Sequence, residues 1–283
     1  NQFEEMGNVL WHYQVTGHAI AEAYESIKTP TSRFAGACFT SGSAGTMSAG
    51  DYLKEQYPYS KLAVGEALQC PTLLENGFGG HRIEGIGDKH VPWVHNVRNT
   101  DMVIDIDDED SQNLLRLFNS EEGHKYLREV AGVPEATIEQ LSLLGISGIA
   151  NVLCCIKFAK YYELTGDDVV ATVATDSAVM YESRVKELNE QQGNYSLLTA
   201  ARDFSEHLHG IRTDNMAELT YADRKRVHNL KYYTWVEQQG KTVEELNAQW
   251  YDHDYWTGIH EQAKDLDKLI NEFNARTGVA EKI

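Results

Sequence analysis

The chain has no long apolar run, no surplus of basic charge and no paired-cysteine motif, and each absence removes a class of function. No stretch approaches the roughly 20 apolar residues that a membrane helix needs, so no membrane association is expected. The first residues, NQFEEMGNVLW, lack the basic start and apolar centre of a secretory leader. Twenty-five Lys and Arg face 43 Asp and Glu, a formal net charge of −18, which argues against nucleic acid or an anionic membrane as the main partner. A cytoplasmic protein is the expectation. Cys38, Cys70, Cys154 and Cys155 form no C-x-x-C pair of the zinc or redox kind and are expected as buried free thiols. His81, His90 and His95 follow no helical ligand spacing such as H-E-x-x-H, and no metal is expected. The acidic run DIDDED lacks the glycine and distal glutamate of an EF-hand loop; it is expected to favour a helix N-terminus through the helix dipole.

What is present is an ordinary globular composition, 42% hydrophobic over 283 residues, enough for one large or two smaller domains. Apolar spacing predicts a helix over Asn8 to Ile27, interrupted or re-phased near Gly17. A strand, RFAGACF, begins at Arg33, breaks into the small-residue loop TSGSAGT and re-emerges as a helical pattern up to Lys54. Further strands are predicted at Leu62 to Val64, Met102 to Ile104 and Val169 to Thr175, the last ending in Asp176-Ser177. Between them lie an irregular stretch from Leu68 to Val97, a helix entered through Asp107 to Asp110, and a second loop-helix junction at Leu144 to Gly148 that leads into IANVLCCIKFAKYY. Strands separated by such long crossovers predict an α/β fold: a mainly parallel twisted sheet flanked by helices. From Met180 onward no strand pattern appears. Helix caps are predicted at Thr220-x-x-Asp223 and Thr242-x-x-Glu245, and Leu266, Leu269, Ile270 and Phe273 share one helical face before a C-cap at Gly278. The expected division is an α/β domain over 1–184 and a helical extension over 185–283. Tyr232, Tyr233, Trp235, Trp250, Tyr251, Tyr255 and Trp256 are expected to pack internally or to form an intersubunit or interdomain contact.

A strand that ends in a glycine-rich turn at a helix N-terminus is a ready anion cradle, because backbone N–H groups and the helix dipole converge there. The loop alone leaves a phosphate site and a turn without ligand both open. It lacks the Gly-Lys-Ser/Thr of a nucleotide P-loop, and Gly42, Gly45 and Gly50 have the wrong spacing for a Rossmann fingerprint. Ser41 to Thr46, Gly145 to Gly148 and Asp176-Ser177 are all expected at the carboxyl edge of the sheet, where ligands of open parallel sheets bind.

These residues, in this order, resemble the cysteine synthase and cystathionine β-synthase branch of the fold-type II pyridoxal-phosphate enzymes. Asn1-Gln2-Phe3, Asn8, His12-Tyr13, Thr16-Gly17 and Ile20 are similar to that family's N-Q-F…N…H-x-x-x-T-G-x-x-I segment. Gly42-Ser43-Ala44-Gly45-Thr46 stands where the family has its G-T-G-G-T phosphate loop, and Tyr52-Leu53-Lys54 matches the helix behind it. Val64-Gly65-Glu66 resembles the next strand, and Arg82 to Gly87 with Val91-Pro92 resembles H-K-I-Q-G-I-G…I-P. Gly145-Ile146-Ser147 and Asp176-Ser177 complete the order, so the resemblance runs roughly from Asn1 to Arg184.

The resemblance implies pyridoxal 5′-phosphate as cofactor, its phosphate held by the amides of Gly42, Ser43, Ala44, Gly45 and Thr46 and by the Thr46 hydroxyl. It also implies that Ser177 bonds the pyridine nitrogen, that Gln2 faces a substrate carboxylate, and that Gly85, Ile86, Gly87 and Gly145 line the pocket. The implied activity is β-elimination or β-replacement on a small amino acid, in a homodimer or other homo-oligomer. A serine/threonine dehydratase or ammonia-lyase of the same fold, and a non-catalytic phosphate-binding or regulatory fragment, are the alternatives. Departures from the pattern bear on the substrate: Ser43 and Ala44 replace Thr and Gly, Glu5-Met6 replaces Asn-Pro, and His18 replaces Pro. In the family the Schiff-base lysine lies upstream of the N-Q-F segment; Lys54, Lys61, Lys89 and Lys157 match other positions. No catalytic residue is therefore assigned here. A preceding segment or a second chain is expected to supply that lysine, and the isolated chain is expected to be inactive.

Overall fold

The computed structural model describes residues 1–279. Three parallel neighbours form the middle of the sheet, β1 (Arg33–Thr40), β2 (Lys61–Ala67) and β3 (Met102–Ile106), with Cys38 opposite Ala63 and Val64 opposite Val103. Their side chains divide with a period of two. Ala37, Phe39, Leu62, Val64 and Val103 enter one core cluster, while Cys38, Ala63, Met102 and Ile104 enter the other. Both faces are covered, which is why these strands read as nearly unbroken apolar runs. One face is packed by α2 (His18–Ile27) and α3 (Met47–Gln56), the other by α5 (Asp108–Asn119) and α8 (Ile146–Tyr161).

β4 (Asp168–Ala171) pairs parallel to the other side of β1, so the order β4-β1-β2-β3-β5 changes direction at β1. The expected strand through Thr175 stops at Ala171 for a definable reason. Asn151, buried on α8, accepts from the Thr40 N–H at 2.7 Å and donates to the Val173 carbonyl at 2.9 Å. One side-chain amide thus replaces the ladder bonds that would have zipped residues 172–175 onto β1. The sequence also showed no strand beyond Met180, and this is corrected: β5 (Met216–Glu218) pairs antiparallel with β3. Three residues are too few to show alternation; the pairing is set by tertiary bonds, Leu219 N–H to Asp101 O at 2.7 Å and Asp105 N–H to Asn215 O at 2.8 Å.

The predicted first helix is α1 (Met6–Trp11), a π-helical turn over His12–Gly17, and α2. The wide turn is the predicted re-phasing. Gly17 permits it to lie against α3, since a Cβ there would stand 2.9 Å from Tyr52 Cδ1. The DIDDED run acts as expected, with Asp107 capping α5 by accepting from the Glu109 N–H at 3.0 Å. All four thiols are free, three of them buried.

The remaining described chain is helical in its regular elements apart from β5: α9 (Glu182–Gln192), α10 (Leu197–Asp203), α11 (Tyr221–Lys231), α12 (Val243–Tyr251), α13 (Tyr255–Glu261) and α14 (Ala263–Thr277). Thr220 and Asp223 form the reciprocal capping box, Thr242 accepts from the Glu245 N–H, and Gly278 closes α14 at φ 62°. Tyr195, Ala200 and Ile211 join the core of α5 and α8, and Leu219 and Val227 join that of α3. Of the aromatic group, Trp235, Trp250 and Trp256 are buried, while Tyr233 and Tyr251 are exposed. The apolar face of α14 is exposed.

Glu66 and Asp105 lie opposite one another on β2 and β3, both buried. Glu66 accepts from the Leu73 and Leu74 N–H groups, at 2.9 and 2.8 Å, while neither Asp105 oxygen has a donor among the described residues. Two adjacent carboxyls in a dry core cannot both ionise. Burial first, and then the Glu66 charge, raise the Asp105 carboxyl; burial likewise raises Glu66. The folded state therefore holds a proton that the unfolded chain releases above the usual carboxylate range, and its stability falls as pH rises. Asp105→Asn is expected to flatten this dependence between pH 6 and 9, by up to about 1.4 kcal/mol per pH unit for one proton. Urea unfolding of both proteins at the two pH values measures it; equal slopes would refute the shared proton.

Candidate active site

The two strands that part at β1 leave a cavity of about 600 Å³ beyond their carboxyl ends. Its floor is the loop from Gly42 to Thr46, which leaves β1 and enters α3. Among the described residues none of the five loop N–H groups has an acceptor; the first amides of the following helix, Met47, Ser48 and Ala49, turn back onto Ala44, Gly45 and Thr46 carbonyls. Five free donors at a helix N-terminus make an anion site.

The loop is shaped by its neighbours. Asn8 donates to the Gln2 carbonyl at 2.8 Å and to Ser43 Oγ at 3.3 Å, and Gly45 lies so close beneath it that a Cβ would stand 2.3 Å from Asn8 Oδ1. Ala44, where the family has glycine, adopts φ 61°, and its methyl is buried in the core cluster with Met47 and Ala49. The loop thus keeps a left-handed residue without glycine. The opposite lip is Gly85-Ile86-Gly87, with both glycines at φ above 80° and the Gly87 N–H bonded to Ser41 O at 2.8 Å.

Gln2, Gly42 to Thr46 and Gly85 to Gly87 are all brought to this one cavity. Gly145 and Ser177 are not among its lining residues. Gly145 stands behind the wall, its N–H donating to Asp176 O at 3.0 Å, where a Cβ would lie 2.0 Å from Asp176 Oδ1. Ser177 begins the short turn over Ala178–Tyr181, its carbonyl accepting from the Met180 N–H. The hydroxyls on the wall itself are Thr175 and Ser147, 2.8 Å apart. Asp176, expected with Ser177 at this sheet edge, lines the cavity; Asn151, Thr40, Phe3 and Val173 also line it and were not singled out in the sequence as site residues. Asn151 had one legible signal, being the only amide in an apolar helix. His12 reaches the cavity from the π-helical turn, its Nδ1 2.9 Å from Thr16 Oγ1, and burial lowers its pKa, which keeps the imidazole neutral near pH 7. Among the described residues no group of three or more His, Cys, Asp and Glu is placed to hold a metal ion.

No family model matches the chain. It is 30% identical over 183 residues to a probable cysteine synthase of Bacillus subtilis, covering 64% of this chain and 51% of that protein. It is 29% identical over 174 residues to cysteine synthase 3 of Caenorhabditis elegans, covering 61% and 44%. The chain thus spans about half the length of the curated relatives it matches. Among solved structures it is similar to a cysteine synthase of Entamoeba histolytica, with TM-score 0.53, 20% identity and 73% of this chain against 53% of that one. It is also similar to a hydrogen sulfide-producing enzyme of Fusobacterium nucleatum, with TM-score 0.51, 23% identity, and 71% against 53%. What these structures share with the chain is the fold: a mostly parallel sheet flanked by helices. In sequence, the matched part of the chain is similar to cysteine synthases.

Two substitutions separate loop geometry from loop chemistry. Gly45→Ala is expected to push Asn8 and His12 away and to destabilise the protein by about 1–3 kcal/mol. Ala44→Gly is expected to change stability by less than about 1 kcal/mol. Relief of a left-handed residue, roughly 1–2 kcal/mol, is offset by glycine's greater unfolded-state freedom and the lost methyl burial. Urea midpoints measure both; a neutral Gly45→Ala would show that the close approach is not required.

Proposed function

We propose that the loop cavity is the cofactor site of a pyridoxal-phosphate-dependent lyase or synthase that carries out β-elimination or β-replacement on a small amino acid. The observation that carries this reading is the row of five amides without an acceptor among the described residues, at the point where strand order reverses, in a chain similar in sequence to cysteine synthases. The fit to a phosphorylated ring is local and physical. The amides and the Thr46 hydroxyl supply donors for a phosphate, the Ala44 methyl is directed into the core cluster, and the cavity is large enough for a cofactor with a small substrate.

When bound, the cofactor supplies the electron sink for charge developing at a substrate Cα. This chain's residues would hold and orient. Gly42 to Thr46 anchor the phosphate; Gln2, at the mouth, donates to a substrate carboxylate; the Gly85 to Gly87 lip narrows access of water. Ser177 is the hydroxyl that the resemblance assigns to the ring nitrogen, with Thr175 and Ser147 on the wall beside it. The lysine that removes the α-proton belongs, in this reading, to a preceding segment or a second chain. A homo-oligomer in the cytoplasm completes the reading; the four free thiols suit a reducing compartment. No helix of the described residues is long and apolar enough to cross a membrane. Similarity to cysteine synthases favours this activity over a dehydratase or a non-catalytic fragment.

Pyridoxine 5′-phosphate, which cannot bond covalently to a lysine, tests the site without catalysis. Its fluorescence titration with the chain is expected to saturate and to be displaced by inorganic phosphate. Thr46→Val is expected to weaken binding about tenfold, the equivalent of one charge-assisted hydrogen bond. Ser177→Ala is expected to weaken it more than Thr175→Val; the reverse order would move the ring-nitrogen role to Thr175. Absence of saturable binding would overturn the cofactor reading. Formation of cysteine from O-acetylserine and sulfide, by the chain together with any polypeptide that co-purifies, tests the reaction. Keto acid released from serine without a thiol would indicate a dehydratase instead.

A further inference from the structure

A second cleft, of about 420 Å³, lies between α3, residues 96–99 and α13, outside the loop cavity. Sorting its polar groups by partner leaves an unmatched set. Lys54 is occupied by Asp101 at 2.8 Å and by the Asn99 carbonyl at 3.1 Å, and Glu55 accepts from the Tyr13 hydroxyl at 2.6 Å. Asp51, only 5% exposed, receives amide donors alone, from Asn96 at 3.1 Å and from Asn99. Two basic groups lie near it: Lys54, whose ammonium is bonded to Asp101, and His260, whose Nε2 stands 4.0 Å from Asp51 Oδ2, too far for a hydrogen bond. His260 is itself 7% exposed; its Nε2 and the Asn96 Oδ1 are buried without a partner among the described residues. At the rim, among the described residues Arg98 donates only to the Asp252 carbonyl, at 3.3 Å, and His253 is exposed.

A buried carboxylate whose nearby cation is bonded to another carboxylate is only partly compensated. Burial pushes the Asp51 carboxyl up to about 7 and pushes His260 down to about 4, so the imidazole is neutral at pH 7 and its Nε2 is able to accept. Asp51, Asn96 and His260 line this one cleft, and each carries an acceptor atom: Asp51 Oδ2, which receives only an amide, and Asn96 Oδ1 and His260 Nε2, which have no partner among the described residues. A primary ammonium has three N–H donors and a positive charge that could sit directly on Asp51. Arg98 and His253 at the mouth suit a carboxylate. We propose that this cleft binds a small zwitterion, an amino acid or short ω-amino carboxylate, at a site separate from the loop cavity. An occupant would touch α3, which starts at the loop of the other cavity, and His260, on which Tyr13, the neighbour of His12, stacks at 3.8 Å.

Calorimetric titration of the whole chain with L-alanine, β-alanine, acetate and methylammonium tests this. Saturable binding of one zwitterion is expected in the millimolar range or tighter, with at least tenfold weaker binding of acetate and methylammonium. Arg98→Ala and Asn96→Leu are each expected to weaken it at least tenfold, whereas Gln2→Ala, at the loop cavity, leaves it unchanged. Arg98 is partly exposed and contacts a single carbonyl, so its variant stays informative if Asn96→Leu fails to fold. The His260 ring proton resonances are expected to shift on binding. The proposal is overturned by no saturation up to ~10 mM of either zwitterion, by equal binding of a singly charged ion, by binding unaffected in Arg98→Ala, or by binding lost in Gln2→Ala.

Discussion

Asn151 is the wedge on which the cavity depends. A parallel sheet gains by pairing every strand to its full length, and the apolar, β-branched run from Val169 to Thr175 is suited to do so. The Asn151 amide intervenes because it satisfies one backbone group on each side, the Thr40 N–H and the Val173 carbonyl, with the geometry a ladder would otherwise supply. Neither strand loses a hydrogen bond at the point of parting, so the gap costs little. Everything further out follows from that gap: the loop amides face open space, the Thr175 and Ser147 hydroxyls reach the wall, and a ligand has room between them.

The parts of this arrangement that were legible in the sequence are those governed by local rules. Small residues after an apolar run fixed the loop and the start of α3, and the broken helical period around Gly17 announced the π-helical turn that brings His12 inward. Acidic residues before SQNLLRLF marked the start of α5. What stayed hidden was set by contacts distant in sequence. The end of β4 depends on a residue 22 positions away on α8, and β5 has no pattern of its own and exists because β3 offers an edge. Ser177 reads as a pocket residue from its place in a motif, yet the polypeptide turns there so that its predecessors Thr175 and Asp176 form the wall. Ala44 is instructive in the other direction. A glycine position was filled by alanine without loss of the left-handed turn, because the methyl found a place in the core.

The helical extension is fastened by a charge that needs no opposite charge. Lys231 on α11 is fully buried, and its ammonium donates to the carbonyls of Trp93 and His95 and to Gln249 Oε1, at 2.9, 2.7 and 2.7 Å. Three donors meet three acceptors, with the Trp93 and Trp256 rings within 5.8 Å of the nitrogen. Burial still lowers its pKa well below the ordinary lysine range. The contact joins α11 and α12 to residues 93–95, and β5 secures the same region of chain to the sheet edge. Residues 195–227 also share the cores of the α/β part, so the extension and the sheet are packed as one body of side chains.

The same accounting separates structural polar groups from those with work left to do. Lys231 is complete, and Glu66 with Asp105 is complete once a proton is shared. Ser111 Oγ and Trp93 Nε1 lack partners among the described residues, but each is a lone orphan of the kind that even well-packed interiors contain. The loop and the second cleft differ because several unmatched groups of one character converge on one space: five donors over the cavity at β1, and three acceptors around Asp51. Convergence matters physically because one ligand atom cluster can satisfy the whole set at a single cost in lost translational and rotational freedom, whereas scattered orphans would each need a ligand of their own. Opposite polarity then separates the occupants. The donor cluster suits an anion and the acceptor cluster a cation, and α3 connects the two: the donors lie at its N-terminus and the acceptors surround Asp51 in its second turn.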